Sequence, residues 1–191
     1  MTAPSLMVVF DSIFLIAMTA WVGSVLFFSF AVAPIVFKVL GAEGGGKFVR
    51  ALFPRYYAWG AACGSVALPS LVAVPLAFPV MRGPWVGVQA LAILSATLVM
   101  LYAGNSLTPA INAARDSGPS GRGRFDRLHR RSVRLNAVVL VIGLGLLIAF
   151  AARPRPSDSG IKEPTIEERS RRQAELLGTA GRPVVPPSKA P

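Results

Sequence analysis

Residues 125–136 read FDRLHRRSVRLN, and an apolar run begins directly after them at Ala137. If this stretch is helical, spacings of three and four place one set of residues on the same side. That set is Phe125, Leu128, Ser132, Leu135 and Asn136. The remaining surface carries the arginines Arg127, Arg130, Arg131 and Arg134. A basic amphipathic helix that leads into an apolar run is typical of a chain passing from charged headgroups into lipid. We therefore predict that these arginines contact lipid headgroups.

The composition also favours a membrane protein. Hydrophobic residues make up 53% of the 191-residue chain, and the mean hydropathy is +0.55. Charged residues make up only 15%, against about 25% in a typical soluble domain. The net charge of +11 would suggest nucleic acid in a soluble protein. Because these charges flank apolar segments, we expect anionic lipid headgroups as the partner and no nucleic acid.

The apolar segments predict an all-α fold, a polytopic four-helix membrane bundle formed by residues 1–152. The predicted spans are about 6–37, 58–78, 85–105 and 135–152. The last three are near the length of about 20 residues that crosses a bilayer, and the first is longer, which predicts a tilted or bent helix. The chain start has no basic region and carries Asp11, so we interpret it as a retained first span rather than a cleaved signal peptide.

The connecting segments are predicted from their glycine, proline and charge content. Residues 38–55, with Gly44–Gly46, predict a loop that includes at most a short interfacial helix. Residues 112–123 predict a flexible loop. Residues 153–191 are polar and rich in proline, which predicts a mostly disordered tail. Within the tail, Thr165 and Glu168 form a capping box that predicts a short helix over residues 166–177.

The distribution of Lys and Arg predicts the sidedness of the spans. The loop after the first span holds Lys38, Lys47, Arg50 and Arg55, and the loop before the fourth is richer still in arginine. The turn between the second and third spans holds only Arg82. The positive-inside rule then places the first and third loops in the cytoplasm and both termini outside, in a bacterial inner membrane. The tail also carries Lys and Arg, some of them far from the last span, where the rule is weak.

A set of short motifs, in this order along residues 10–150, resembles a known family. The motifs are Trp21-Val-Gly23, Ala33-Pro34 with Phe37, Phe53-Pro54 with Tyr56-Tyr57, Asn105 with Pro109, and Phe125-x-x-Leu128-His129-x-x-Ser132 with Asn136. With them the chain resembles the bacterial four-helix membrane domain related to transmembrane protein 205. That family is one of unknown biochemical function, so the resemblance implies an architecture and no catalytic residue.

The polar residues before the fourth span have two interpretations. His129, Ser132 and Asn136 form a polar stripe, and such groups at a span end often make interhelical hydrogen bonds. Asn105, at the end of the third span, is the expected partner of this structural polar cluster. Alternatively, His129 could be a haem or metal ligand. The chain has one histidine and one cysteine, Cys63, whereas a stable metal site needs several ligands, so we expect no cofactor.

Other residues suggest packing, pairing and lipid contacts. Gly60 and Gly64, and Gly143 in the fourth span, would let another helix approach closely. Asp11 could pair with Arg82, and Arg55 is expected to contact lipid headgroups. The aromatic residues Phe27, Phe28, Phe30, Tyr56 and Tyr57 could form a ligand pocket, although core packing and lipid contact are the more usual roles for such residues.

The chain lacks the motifs of common enzymes. No Ser/His/Asp, CxxC, HExxH, P-loop or GxGxxG signature occurs, so we predict that it is not an enzyme. The leading hypothesis is an accessory or scaffold subunit of a larger membrane complex, packed against other membrane protein subunits. One alternative is a small oligomeric transporter or efflux component, although the spans hold few polar groups to line a pathway. The other is a haem- or copper-handling membrane protein that uses His129.

Overall fold

The computed structural model describes residues 3–153, together with Ser170 and Gln173. The contacts within the chain divide it into two units, Met1–Ala151 and Ala152–Pro191. The fold below is that of the first unit. The predicted disordered tail and its short helix over residues 166–177 lie outside the described residues, apart from Ser170 and Gln173.

Within residues 3–153 the structure is helical and contains no strand, so the all-α prediction is confirmed for this part of the chain. The α-helices are α1 (Ala3–Phe27), α2 (Ala33–Ala77), α3 (Pro84–Tyr102), α4 (Thr108–Asp116) and α5 (Arg122–Ala151). Two π-helical turns, Phe28–Val32 and Ala103–Leu107, join α1 to α2 and α3 to α4 without interrupting the helical path. Short 3₁₀ turns at Pro79–Met81 and Gly118–Gly121 precede α3 and α5.

The predicted number of separate helices was wrong. The described residues contain three helical stretches long and apolar enough to cross a membrane: Ser5–Ala77, Pro84–Asp116 and Gly118–Ala151. The first two predicted spans are merged because the predicted loop over residues 38–55 is helical apart from a break at Gly41. The glycines of this segment are helical because other side chains pack against them. A Cβ at Gly45 would lie 2.7 Å from Cδ1 of Phe37, and one at Gly46 would overlap the Arg115 guanidinium.

Gly41 is the point at which the long first stretch reverses direction. Its φ of 65° and ψ of −174° lie outside the helical region, and a φ of that sign favours glycine. The arms on either side pack against each other: Trp21 lies against Gly60 and Gly64. Closer to the break, the Phe28 and Phe53 rings are 5.4 Å apart. Because these partners are nearly equidistant in sequence from Gly41, the two arms form an antiparallel helical hairpin.

The core is a seam along the inner faces of α1, α2, α3 and α5. Phe14, Met18, Trp21 and Val25 recur at helical spacing and are buried. Phe14 stacks on Phe150 of α5 with ring centroids 5.0 Å apart. The outer faces are apolar as well: Ile16 and Val141 are each 69% exposed. An apolar exterior around a packed interior is what a lipid environment requires.

Gly143 and Gly145 form a matched pair for testing this packing. A Cβ at Gly143 would lie 2.6 Å from Cγ2 of Val22, whereas nothing lies within 4 Å of one at Gly145. We expect Gly143→Leu to lower the melting temperature of the purified protein in detergent, because overpacking costs about 1–3 kcal/mol. Gly145→Leu should leave it nearly unchanged. Equal shifts for the two variants would contradict the packing of α1 on α5.

Candidate functional site

Two prolines explain the π-helical turns that shape the candidate site. Pro34 and Pro109 each follow a turn by two residues. Proline has no backbone N–H, so the carbonyls of Phe30 and Asn105 lose the donor that a regular helix would supply. The helix adapts locally by widening. In the second turn the Thr108 hydroxyl donates to the carbonyl of Ala103 at 2.8 Å. Wide turns of this kind are frequent at functional sites.

A cavity of about 590 Å³ lies beside both turns, among residues of α1, α2, α4 and α5. This volume is within the range typical of small-molecule sites. Most of its wall is apolar and includes Val25, Phe28, Phe30, Phe37, Phe53, Ile111, Phe125, Val133, Ala137 and Leu140. The polar side chains of the wall are Ser29, Arg50, Tyr56, Thr108, Asn112, Arg115, His129, Ser132 and Asn136. We call this space the helix cavity.

One end of the helix cavity is basic. Arg50 is paired with Asp116. The Arg115 guanidinium lies 5.0 Å from the centre of the Phe125 ring, a cation–π contact. The His129 ring is also stacked with Phe125, with ring centroids 5.7 Å apart and an interplanar angle of 3°. Among Arg50, Arg115 and Asp116, two guanidinium groups lie near one carboxylate, so these three side chains together carry one excess positive charge.

A buried hydrogen-bond network forms the polar part of the wall below the basic end. Asn136 Nδ2 donates to the Tyr57 hydroxyl at 3.0 Å and to the Ser132 carbonyl at 3.1 Å. The Tyr57 and Ser132 hydroxyls lie 3.0 Å apart. Tyr56 donates to Oδ1 of Asn136 at 3.1 Å. Since the Tyr57 oxygen accepts from Asn136, its own proton is free to bond Ser132. The network joins α2 to α5.

The structure does not bring Asn105 together with Ser132 and Asn136. Asn105 lies in the π-helical turn Ala103–Leu107, is exposed, and is not part of the cavity wall. The partners of Ser132 and Asn136 are instead Tyr56 and Tyr57 on α2. The sequence predicts a possible pocket role for this tyrosine pair, and its hydrogen bonds to the polar stripe of α5 are visible only in the structure.

The other predicted residues lie in several places. Arg127, Arg130, Arg131 and Arg134 line a separate surface depression with Leu135, and the Arg131 guanidinium lies 5.1 Å from the centre of the Tyr102 ring. The exposed Arg55 donates to the Ala51 carbonyl at 3.3 Å. Gly60 and Gly64 lie against Trp21, and Gly143 against Val22.

The predicted ion pair of Asp11 with Arg82 and the possible ligand role of His129 concern residues outside the hydrogen-bond network. Arg82 Nε donates to the Pro75 carbonyl at 3.0 Å, and its pairing with Asp11 stays a prediction. His129 is exposed at the cavity, and Cys63 is buried in α2. Among the described residues, no group of three or more metal-ligating side chains occurs. A haem or copper role for His129 also stays a prediction.

These apolar helices indicate a membrane-spanning protein. The chain belongs to the family described as domain of unknown function DUF4149, whose model matches residues 16–120, more than half of the chain. The match covers the hairpin from residue 16 onward and both π-helical turns, and it ends before α5. No curated protein and no solved structure matches the chain. The relation to transmembrane protein 205 stays a prediction.

The tyrosine–asparagine network can be tested by a double-mutant cycle. We expect Tyr57→Phe and Asn136→Ala each to lower the melting temperature in detergent, and the double variant to lose less than their sum. The coupling should be about 1 kcal/mol, as for other interhelical hydrogen bonds in membrane proteins. Ser70→Ala is the control, because Ser70 donates to the Val66 carbonyl of its own helix. Strictly additive losses would contradict a shared network.

Proposed function

We propose that the protein crosses the membrane four times, with the hairpin Ser5–Ala77 supplying two of the crossings. A straight helix of these 73 residues would be about 110 Å long, far more than a hydrocarbon core of about 30 Å. The reversal at Gly41 and the antiparallel packing of the two arms support two crossings in place of one.

The sidedness follows from the positive-inside rule. Lys38, Lys47 and Arg50 flank the reversal at Gly41, and several arginines surround the start of α5. This charge supports a cytoplasmic position for both connections and an outer position for both chain ends, in a bacterial inner membrane. The surface arginines of α5 are then near anionic headgroups.

We infer that the protein is not an enzyme and acts as an accessory protein that holds a hydrophobic molecule of the bilayer in the helix cavity. The observation that carries this proposal is a mostly apolar cavity wall that continues onto the exposed surface of the helices. Phe30 of the first π-helical turn and Val133 of α5 both line the cavity, and they are 75% and 55% exposed. An apolar wall exposed in this way would face lipid, from which a hydrophobic molecule could enter.

The interior supports binding better than transport of ions. The buried hydroxyls of Ser70, Thr97 and Thr108 donate to carbonyls of their own helical segments. Groups engaged in this way offer a permeating ion few ligands, and an ion pathway depends on a polar lining. The transporter alternative therefore has less support from the described residues.

A place in a larger complex is a second candidate function. Gly23, Gly87 and Gly145 lie on outer faces of α1, α3 and α5, with nothing within 4 Å of a Cβ built on them. Small residues on an outer face allow a further helix to approach closely in a membrane. This favours other membrane protein subunits as partners.

Replacing either of two alanines by phenylalanine tests the binding role. Ala137 lines the helix cavity, whereas Ala62 is exposed on α2 away from it. We expect native mass spectrometry of the full chain, purified from membranes in mild detergent, to find a bound hydrophobic molecule that comes from the bilayer. Ala137→Phe should lose this molecule because the ring fills the cavity, and Ala62→Phe should retain it.

The same purification distinguishes the two candidate functions. The binding role would be contradicted if Ala137→Phe and Ala62→Phe retained the molecule equally. It would also be contradicted if no bound molecule were found even in the wild type. A stoichiometric protein partner that both variants retain would support membership in a complex. Its absence under these mild conditions would count against that second candidate.

A further inference from the structure

We propose that the molecule held in the helix cavity is a lipid with one net negative charge, whose headgroup binds Arg115 and whose acyl chain lies along the phenylalanine wall. This inference rests on the binding role proposed above and adds the chemical class of the ligand. Three features of the cavity support it: its gradient of polarity, its net charge, and the seat of the Arg115 side chain.

The polarity of the cavity changes along the helix axes. Phe125 and His129 line the end near the start of α5, together with Arg50 and Arg115 from the neighbouring helices. Further along α5 the wall ends at Leu140. From Phe125 to Leu140 the helix advances about 22 Å, more than half the thickness of a hydrocarbon core of about 30 Å. An occupant of this length reaches from the headgroup level toward the middle of the bilayer, as a lipid does and a small soluble anion does not.

The charge at the basic end selects one negative charge. Arg50 is already paired with Asp116. The Arg115 guanidinium lies over the Phe125 ring and against Gly46, and it is close enough to Asp116 to help lower the pKa of that carboxyl. Because a cation–π contact uses the face of the guanidinium, its N–H groups can still donate to an anion. A phosphodiester matches the guanidinium geometry and neutralises the excess charge. A zwitterionic headgroup would bring a second cation close to Arg115, so it should bind less well.

Gly46 leaves the space in which the Arg115 guanidinium lies. A Cβ at Gly46 would overlap the guanidinium, so the absence of a side chain lets Arg115 lie against α2 at the cavity wall. Gly46 is therefore a positioning residue. Gly46→Ala keeps the charge of Arg115 but displaces it, which separates the effect of charge from the effect of position.

The surface arginines of α5 are the main competing explanation for any preference for anionic lipid. Arg127, Arg130, Arg131 and Arg134 line an open depression whose one apolar member is Leu135. Such a cluster attracts anionic headgroups without holding an acyl chain. Arg130→Gln thus removes the same charge as Arg115→Gln, but from outside the helix cavity.

The test is a native mass spectrometry titration of the full chain with phosphatidylglycerol, which carries one negative charge, and with phosphatidylcholine of the same acyl chains. We expect one tightly held phosphatidylglycerol per chain, in preference to phosphatidylcholine. Arg115→Gln should weaken phosphatidylglycerol binding about tenfold or more, as expected for loss of hydrogen bonds to a charged group. Arg130→Gln should change it less than about twofold, and inorganic phosphate should not displace the lipid.

Gly46→Ala keeps the test decisive if Arg115→Gln fails to fold. It should weaken phosphatidylglycerol binding while leaving phosphatidylcholine binding unchanged. Equal effects of Arg115→Gln and Arg130→Gln would overturn the inference in favour of surface attraction. If both lipids bind equally and both are lost in Ala137→Phe, the charge selection fails while the binding role stands. If no lipid binding depends on Ala137, both proposals fail.

Discussion

The architecture depends on the need of a chain in hydrocarbon to satisfy its backbone hydrogen bonds within its own helices. A departure from the regular helix is then expected only where a particular residue allows or causes a different backbone conformation. Gly41 provides one, because it adopts a positive φ that reverses the chain. The other two departures are the π-helical turns, and each is followed two residues later by a proline that lacks a backbone donor, Pro34 and Pro109. The hairpin and the cavity both arise at these departures.

The cavity adjoins the contacts that hold α5 to the hairpin. Phe14 and Val22 of α1 pack on α5, and the hydrogen bonds of Tyr57 and Asn136 join α5 to α2. The π-helical turn Phe28–Val32 and the first half of α5 both contribute residues to the cavity wall. The side chains of this network are neutral and already hydrogen-bonded to each other. The positive charge available to a ligand therefore lies at the basic end of the cavity, at Arg115.

Residue spacing predicts much of this organisation. The features that it does not predict depend on contacts between residues far apart in the sequence. Apolar runs of span length predict the membrane helices, and the basic lead-in at residues 125–136 predicts an amphipathic start. Gly44–Gly46 predict a loop by local propensity, yet tertiary contacts with Phe37 and Arg115 make a helix there the better solution. The prediction for Asn105 rests only on its place at the end of the third span, on the same side of the membrane as Ser132 and Asn136. Sequence position alone does not show which helix packs beside α5 at this level, and the structure places Tyr56 and Tyr57 of α2 there.

The double crossing by Ser5–Ala77 is the claim on which the cavity, the sidedness and the lipid site all depend, and single-cysteine labelling in membrane vesicles tests it most directly. In a Cys63→Ser background, cysteines replace three exposed residues: Glu43 beside the reversal, Gly83 before α3, and Ser120 before α5. With right-side-out vesicles, the account predicts that an impermeant thiol reagent labels the cysteine at position 83 at once. The cysteines at positions 43 and 120 should react only after permeabilisation. Reaction of positions 43 and 83 from the same side would contradict two crossings, and the reverse pattern of labelling would contradict the assigned sidedness.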